Sequence, residues 1–600
     1  MNSSRIARSA KMPISIRRRD IPANSSFLDD SKDELQRLLA NLFAARGVTA
    51  RDQLDYSLKH LLPPTLFGLR EAAELLTEAL DANASILIVG DFDVDGATSC
   101  ALAVRALKDM GFENVDYLVP DRAEYGYGLS PELVGVAALR EPDIIITVDN
   151  GISSIDGVYA AQALGIMVIV TDHHIPGDEL PTADVIINPN LSNDNFKSKS
   201  LAGVGVVFYL MLALRAHLRR LNWFSERGVD EPNLANYLDL VALGTVADVV
   251  ALDRNNRILV RHGLQRIQQG YCVEGIKALL GVGKRDIDTC STNDLGFALG
   301  PRLNAAGRLE DMSIGIECLL TDDPGKAQAY ALQLDEINLQ RREMQADMVE
   351  QASTVVSTLV FDADEQDINS SSSAGYCLYD KRWHEGIVGL IASNIKEKSY
   401  RPVVALAPSN DGMWKGSARS VPGVNIRDVL AFIDARHAGL LERYGGHAMA
   451  AGLSVSSENL ERLQSVFSNA VSDWYQHANN APLEFKQELL TDGPLDGDLL
   501  SLSTAKAIRK AGPWGQRFEE PLFDGSFHVE EVRIVGEIHA KLKLRVLTGS
   551  QVIDAIAFGY LNDHEELPNG EVRLVYSLDI NHWQGVDRLQ LMVKHIQQKA

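Results

Sequence analysis

Cysteine is scarce, and no two cysteines form a C-x-x-C pair: Cys100, Cys272, Cys290, Cys318 and Cys377 are scattered along 600 residues. That excludes a disulfide framework and a cysteine zinc knuckle, and it fits a reduced, cytoplasmic setting. Long apolar runs are also missing; none approaches the roughly 18 residues of a membrane helix, so no membrane role is expected. The basic start (Arg5, Arg8, Lys11, Arg17, Arg18, Arg19) has no apolar core, which excludes a secretory signal. It reads as a flexible tail, with a nucleic-acid-holding arm as the alternative. Aromatic residues are only 6%, too few for a stacking array along the chain. Positive charge is in deficit: 58 Lys+Arg against 81 Asp+Glu give a net charge of −23. That argues against non-specific coating of duplex nucleic acid. It does not exclude a strand threaded into a locally basic cleft, because net charge does not fix local potential.

What is present is ordinary in composition, with 46% hydrophobic and 23% charged residues. The chain is too long for one core, and roughly three to five domains are expected. Leu/Ala periodicity predicts helix in 34–45 and 71–80. An α/β rhythm then starts at Ser85–Val89, with strand-like runs at Val115–Val119, Ile144–Val148, Met167–Val170 and Val185–Ile187. Strands alternating with helices predict a mostly parallel sheet covered on both faces. The pattern is largely helical from Val206 to Cys318. Asp322-Asp323-Pro324 is a good helix start, opening a long connecting helix to about Val355. A smaller α/β unit is expected over 375–470. After about 484, alternating segments such as Phe527–Val535, Leu542–Leu547, Val552–Phe558 and Val572–Leu578 predict an antiparallel barrel.

The chemistry gathers at the strand ends. The first apolar strand runs into Gly90-Asp91-Phe92-Asp93-Val94-Asp95-Gly96, where carboxylates at spacing two share a side if the chain stays extended. Val148 leads to Asp149-Asn150-Gly151, and Val170 to Thr171-Asp172-His173-His174. Asp248 follows another apolar stretch, with Asp239 as a rival. In open α/β sheets ligands bind beyond the carboxyl ends of the strands. So much negative charge in one place needs a cation. Carboxylates with one or two imidazoles suit Mn²⁺ or Mg²⁺, whereas zinc more often recruits cysteine. Two such ions roughly 3.5–4 Å apart would serve phosphoester hydrolysis.

Asp172-His173-His174 resembles the motif that names the DHH superfamily of phosphoesterases, and Asp93-Val94-Asp95, Asp149 and Asp248 resemble its other metal motifs. The resemblance implies metal ligands at Asp93, Asp95, Asp149, His173 and Asp248, with Asp172 supporting the histidines. His174 is then a ligand or an orienting group, and Asp91 a ligand or a buried acceptor. Further strings resemble the RecJ branch: Pro120-Asp121-Arg122 with Gly126-Tyr127-Gly128-Leu129, and Leu299–Leu309 containing Arg302, Asn304 and Arg308. The second unit contributes Trp383–Gly389, Lys415–Ser420 and Tyr444–Gly452. Ala418 departs from the glycine of many relatives; alanine is tolerated unless φ is positive there.

The implied architecture is α/β and multidomain. A tail and helix (1–45) precede a parallel-sheet catalytic DHH domain (46–320) and a connecting helix (321–360). A smaller α/β DHH-associated domain (361–475) and an OB-like barrel (476–600) follow. The implied activity is a single-stranded-DNA-specific 5′→3′ exonuclease, monomeric, releasing 5′-mononucleotides in DNA repair and recombination. Substrate binding is expected at Arg122, Arg302, Asn304, Arg308, Ser417, Arg419 and His447, the Arg122–Ser417–Arg419 group holding the terminal 5′-phosphate. Arg302 and Arg308 are alternatively helix-packing salt-bridge residues. In the barrel, Lys541, Lys543 and Arg545 put positive charge on one strand face, with Phe558, Tyr560 and His582-Trp583 as candidate stackers. The resemblance implies a single-strand-binding protein and a RecQ-type helicase as partners. Two other functions use the same motifs: small-substrate phosphodiesterases of nanoRNase or cyclic-dinucleotide type, and non-catalytic replication scaffolds.

Overall fold

The computed structural model describes residues 14–22, 33–120, 125, 127–364, 373–409, 412–495, 497–547, 549–564 and 566–598, side chains of 357–364, 563 and 583 aside. Five strands, β2 (Ile86–Gly90), β3 (Val115–Leu118), β4 (Ile144–Val148), β5 (Met167–Thr171) and β6 (Val185–Ile187), form a parallel sheet in the order β3-β2-β4-β5-β6. Alternation at period two divides its side chains between two cores. Ile86, Ile88, Ile144, Ile146 and Ile169 face one side with the helices α2 (Leu69–Asp81), α3 (Val94–Asp109), α6 (Gly203–Arg220) and Leu238–Ala247. Leu87, Val89, Ile145, Val168 and Val170 face the other, under α4 (Pro131–Ala138) and α5 (Ile155–Ala163). Burial on both faces is why these strands read as continuous apolar runs. The winding reverses between β2 and β4, so the crevice beyond their carboxyl ends is the topological switch point of the sheet.

The helix opened by Pro324 runs to Asp364, longer than expected. It leads to a second sheet made of β7 (Tyr376–Tyr379), β8 (Val403–Pro408), β9 (Trp414–Arg419), β10 (Arg443–Gly446) and β11 (Ala450–Val455), in the order β10-β11-β9-β8-β7. The C-terminal unit is a closed five-stranded barrel of β13 (Phe523–Val535), β14 (His539–Val546), β15 (Val552–Ala557), β16 (Gly570–Trp583) and β17 (Val586–Gln598). The barrel is not wholly antiparallel: β15 and β17 pair in parallel to close it. Among the described residues no helix is long and apolar enough to cross a membrane.

The N-terminal stretch departs from the flexible-tail expectation where it is described. β1 (Ile14–Arg18) pairs in parallel with β12 (Gln487–Thr491). Its arginines meet buried carboxylates, Arg18 to Asp524 at 3.3 Å and Arg19 to Asp492 at 3.9 Å. Arg46, just beyond α1 (Glu34–Ala44), forks onto the same Asp492 at 2.8 and 2.9 Å. Acidic partners more than 400 residues away in the chain fix this end, and local sequence carries no sign of them. Arg5, Arg8 and Lys11 lie outside the described residues.

Candidate metal centre

The carboxylates after β2 converge, but not along an extended chain. Asp93 is the N-cap of α3, its Oδ1 accepting the Gly96 amide at 3.0 Å, and Asp95 already lies in the first helical turn. The turn is tight: a Cβ on Gly96 would lie 2.4 Å from the Asp91 carbonyl oxygen. The Asp95 carboxylate then meets the start of α6, accepting the Gly203 amide at 2.6 Å and the Val204 amide at 2.9 Å. A helix N-terminus favours an anion at that place. Two helices approach this carboxylate layer only because they carry glycine. A Cβ on Gly203 would sit 2.6 Å from Asp149 Cβ, and one on Gly244 would sit 2.8 Å from Asp95 Oδ1.

At the end of β4, Asp149 adopts φ +63°, a left-handed conformation that few residues besides glycine, asparagine and aspartate enter. Its amide donates to the Thr171 carbonyl at 3.0 Å, while Asn150 Nδ2 donates to the carbonyls of Val89 and Val148. These bonds lock the loop and hold the strained residue in place. At the end of β5, Asp172 is fully buried. It accepts the amides of His173 (2.7 Å), His174 (3.0 Å) and Ile152 (2.9 Å), and His174 Nδ1 lies 2.7 Å from its Oδ1. With Nδ1 so engaged, His174 presents Nε2 to a ligand. Asp248 follows the Leu238–Ala247 helix as its C-cap, next to Val249 at φ +62°. Asp239 sits at the other end of that helix and accepts the Val273 amide at 2.8 Å, outside every candidate ligand group among the described residues.

His173 Nε2 is the hub of the cluster: Asp149 Oδ1 lies 3.0 Å away, Asp248 Oδ2 3.5 Å and Asp95 Oδ2 3.9 Å. Three groups of side chains each bring their ligand atoms within 4.8 Å of one another: Asp91, Asp93 and Asp149; Asp149, His173 and His174; Asp95, His173 and Asp248. Asp149 Oδ1 and His173 Nε2 are buried without any hydrogen bond. Native structures leave few such atoms orphaned, so a group able to bind both is the fitting complement. The electrostatics agree. Burial, then the charge of Asp93, pushes Asp95 up to about 7. Burial, and after it Asp95, raises Asp149 and Asp248 well above the usual carboxylate range. Burial, then the charge of His174, takes His173 down to about 4, so its imidazole is neutral and can donate a lone pair. Burial opposes ionisation of Asp172 too, but the hydrogen bond and charge of His174 outweigh it and hold Asp172 below its ordinary value. The donor set is oxygen with imidazole, and the nearby Cys100 thiol is pushed up by burial and by Asp91. That set fits Mn²⁺ or Mg²⁺.

Several supporting roles escaped sequence reasoning, among them that of Tyr127, which entered only as part of a family-like string. Tyr127 OH lies 3.2 Å from His174 Nδ1 and donates to the Asp149 carbonyl at 3.3 Å. Asn190 Nδ2 donates to the His173 carbonyl at 2.6 Å, and Asn188 Nδ2 to that of His174 at 2.9 Å. Asn188-Pro189-Asn190 follows the apolar β6 directly, so the strand-end pattern that drew attention to the aspartates was present there too.

The expected substrate-binding residues divide. Ser417 and Arg419 share one face of β9, Arg419 Nη1 donating to Ser417 Oγ at 2.7 Å, and His447 is exposed at the β10–β11 turn. Three of the other four are engaged within the protein. Arg302 is bound to Asp335 (2.8 Å) and to the Ala298 carbonyl (2.7 Å), the helix-packing alternative. Asn304 Oδ1 accepts the Val94 amide at 3.2 Å, beneath Asp93 and Asp95. Arg308 Nη1 donates to the Gly386 carbonyl of the second lobe at 3.2 Å. Arg122 lies outside the described residues. In the barrel, Lys543 pairs with Glu531 and Arg545 with Glu530, both at 2.6 Å, so much of the expected basic face is neutralised. Phe558 is exposed with its ring edge-on to His539, whereas Tyr560 stacks on His564.

Comparison with known proteins follows the same three units. Residues 85–245 match the family model described as the DHH family N-terminal domain, 372–473 the DHHA1 domain, and 491–595 the RecJ OB domain. The chain is similar to the single-stranded-DNA-specific exonuclease RecJ of Escherichia coli strain K12, 49% identical over 590 residues, 98% of this chain and 99% of that one. It is 45% identical to the Haemophilus influenzae protein of the same name over 586 residues, 97% of this chain and 99% of that one. Among solved structures, RecJ from Thermus thermophilus in complex with Mn²⁺ superposes with a TM-score of 0.77. The two are 30% identical, over 98% of this chain and 80% of that one. The same protein with Mg²⁺ gives a TM-score of 0.71 at 28% identity, covering 98% and 79%.

Proposed function

The chain belongs to the RecJ family of DHH phosphoesterases, and from that premise we propose that it is a metal-dependent, single-stranded-DNA-specific 5′→3′ exonuclease. The observation that carries this reading is the buried Asp149–His173 pair, unsatisfied at the centre of a carboxylate cluster at the switch point of the sheet. Asp91, Asp93 and Asp149 would hold one divalent ion, Mn²⁺ or Mg²⁺; Asp95, His173 and Asp248, with Asp149 and His174 alongside, would hold a second. Such ions supply charge neutralisation for the phosphodiester oxygens and make hydroxide available at neutral pH. The protein supplies the geometry. Asp172 fixes the His174 imidazole and the backbone of both histidines, the α6 amides hold Asp95, and the locked Asp149 loop faces His173 Nε2.

Direction would come from the second lobe. Ser417 and Arg419 offer a hydroxyl and a guanidinium fork to a terminal 5′-phosphate, with Arg122 as a third group, and His447 donates to the scissile phosphate or its neighbour. Anchoring the 5′ end next to the metal centre makes each cut release one 5′-mononucleotide. A lobe that must seat a free phosphate, and a barrel beyond it, favour a long single strand over dinucleotide substrates.

Digestion of 3′-labelled oligonucleotides with Mn²⁺ tests this directly. Wild type should shorten a 5′-phosphorylated single strand from its 5′ end and leave blunt duplex intact. Asp93→Ala should be inactive, and Arg419→Ala should lose the preference for 5′-phosphate over 5′-hydroxyl. Metal-dependent digestion from the 3′ end, or an active Asp93→Ala, would refute the assignment.

A further inference from the structure

One helical run touches the segment that leads into the barrel, the metal centre and the second lobe in turn. At its start, Thr292 Oγ1 donates to the carbonyl of Trp514, just ahead of the barrel, at 2.7 Å. Leu295–Leu299 then form a π-helical turn, a feature found disproportionately at functional sites. This turn lies along the last residues before Asp248. A Cβ on Gly296 would be 3.6 Å from Val246 Cγ1, and one on Gly300 would be 3.7 Å from Ala247 Cβ. Farther on, Asn304 accepts the Val94 amide, and Gly307 lies so close to Phe92 that a Cβ would meet its carbonyl oxygen at 1.8 Å. The run ends with Arg308 on Gly386 of the second lobe.

Leu295, Ala298 and Leu299 are buried and anchor the turn, yet Phe297 between them is 79% exposed. Val249, which follows Asp248, is 60% exposed. A strand led along this run from the segment ahead of the barrel towards Asp248 would pass Phe297. An uncharged phenyl ring has nothing to offer a phosphate, but it presents a π-face to a base. Stacking is also sequence-tolerant, as digestion of arbitrary sequence requires.

We propose that Phe297 is a stacking platform for one nucleobase of the single strand on the 3′ side of the bond being cut. The proposal rests on the exonuclease reading and makes a separable claim. Loss of one base stack is expected to weaken binding on the order of tenfold. Phe297 is too exposed for its replacement to open a cavity, which equal melting temperatures would verify.

The test is a scan in which a single abasic nucleotide is stepped along the first positions of a 5′-phosphorylated strand. Each strand is measured by equilibrium binding without metal and by digestion with Mn²⁺, using wild type, F297A, F297L and F297W. In wild type, one position should raise Kd and KM about tenfold when its base is removed. F297A should show that same loss on the intact strand and be blind to the abasic site at that position, a double-mutant-cycle signature. F297W should restore the contact, while F297L, apolar and branched but without a π-face, should not. An abasic penalty that survives in F297A, or F297L behaving as wild type, would overturn the platform. Digestion with no abasic penalty anywhere would do the same. Binding with the abasic penalty intact but no digestion would remove the nuclease reading and leave the platform standing.

Discussion

The metal centre and the basic strand of the barrel both concentrate charge, and the fold treats them in opposite ways. Around His173 several buried carboxylates face one another, and Asp149 Oδ1 and His173 Nε2 are left without hydrogen-bond partners. On β14, each of Lys543 and Arg545 is answered by a glutamate of β13 at 2.6 Å. Charge that a fold neutralises internally is structural or screened, and contributes little when exposed. Charge that a fold buries and leaves uncompensated costs stability, and persists only where a ligand repays it. The contrast is therefore a guide to where ligands belong, and it is open to attack from both sides.

The largest expected effect comes from removing the negative charge nearest the hub. Asp149→Asn is a clean substitution because asparagine tolerates the left-handed backbone that Asp149 adopts. Mn²⁺ affinity should fall on the order of a hundredfold or more, measured by isothermal titration calorimetry. The metal-free variant should also melt above metal-free wild type, since one repelling charge is gone. Unchanged Mn²⁺ binding would place the ions elsewhere.

The second prediction concerns protons as substitutes for metal. Burial and Asp93 push Asp95 up to about 7, against an ordinary value near 4 in an unfolded chain. Between those values the folded metal-free protein binds more protons than the unfolded one. The Asp95 contribution to stability therefore falls as pH rises through that window and levels off above about 7. A divalent ion takes the protons' place, so Mn²⁺ should raise the melting temperature more at pH 8 than at pH 6. Equal increments at the two pH values would mean that the cluster does not exchange protons for metal. Asp95→Asn should flatten the metal-free pH dependence.

Why the metal centre was legible and the barrel face was not follows from locality. Each candidate ligand apart from Asp248 sits directly after a short apolar run, so β2, β4 and β5 and their acidic ends can be read within a few residues. The path to convergence could not. Spacing two suggested an extended display, whereas Val94 begins a helix and Asp93 caps it. Asn304 looked like a substrate contact because its string resembles a family signature. Its Oδ1 instead accepts an amide 210 residues earlier, a pairing that only tertiary structure creates. The N-terminal arginines read as a tail for the same reason, their partners Asp492 and Asp524 lying at the far end of the chain. On the barrel, the Lys541-Lys543-Arg545 alternation was visible, but its neutralisation depends on cross-strand register. That register shifts between Val529 and Glu531, placing Glu531 opposite Lys543, while Lys541 faces Arg533.

The smallest effect tests the barrel side of the contrast. If β13 glutamates hold the β14 cations in check, Glu530→Gln with Glu531→Gln should free two positive charges without altering strand shape. Exposed pairs are worth well under about 1 kcal/mol each, so the barrel's stability should hardly change, and its melting transition supplies the control. Single-strand affinity should rise by about two- to fivefold at low salt, with the slope of log K against log salt steepening by roughly 0.7 for each cation that gains a phosphate. The salt slope is the informative quantity, because a non-specific gain in charge would raise affinity for duplex and single strand alike. A steeper slope confined to single strands would make this face a dormant part of the strand's path, held weak by its own glutamates so that DNA can slide past as it is consumed. An unchanged slope would leave the pairs as a solvated strand face, and the route from the barrel to the metal centre would then depend on contacts such as Phe297 that carry no charge.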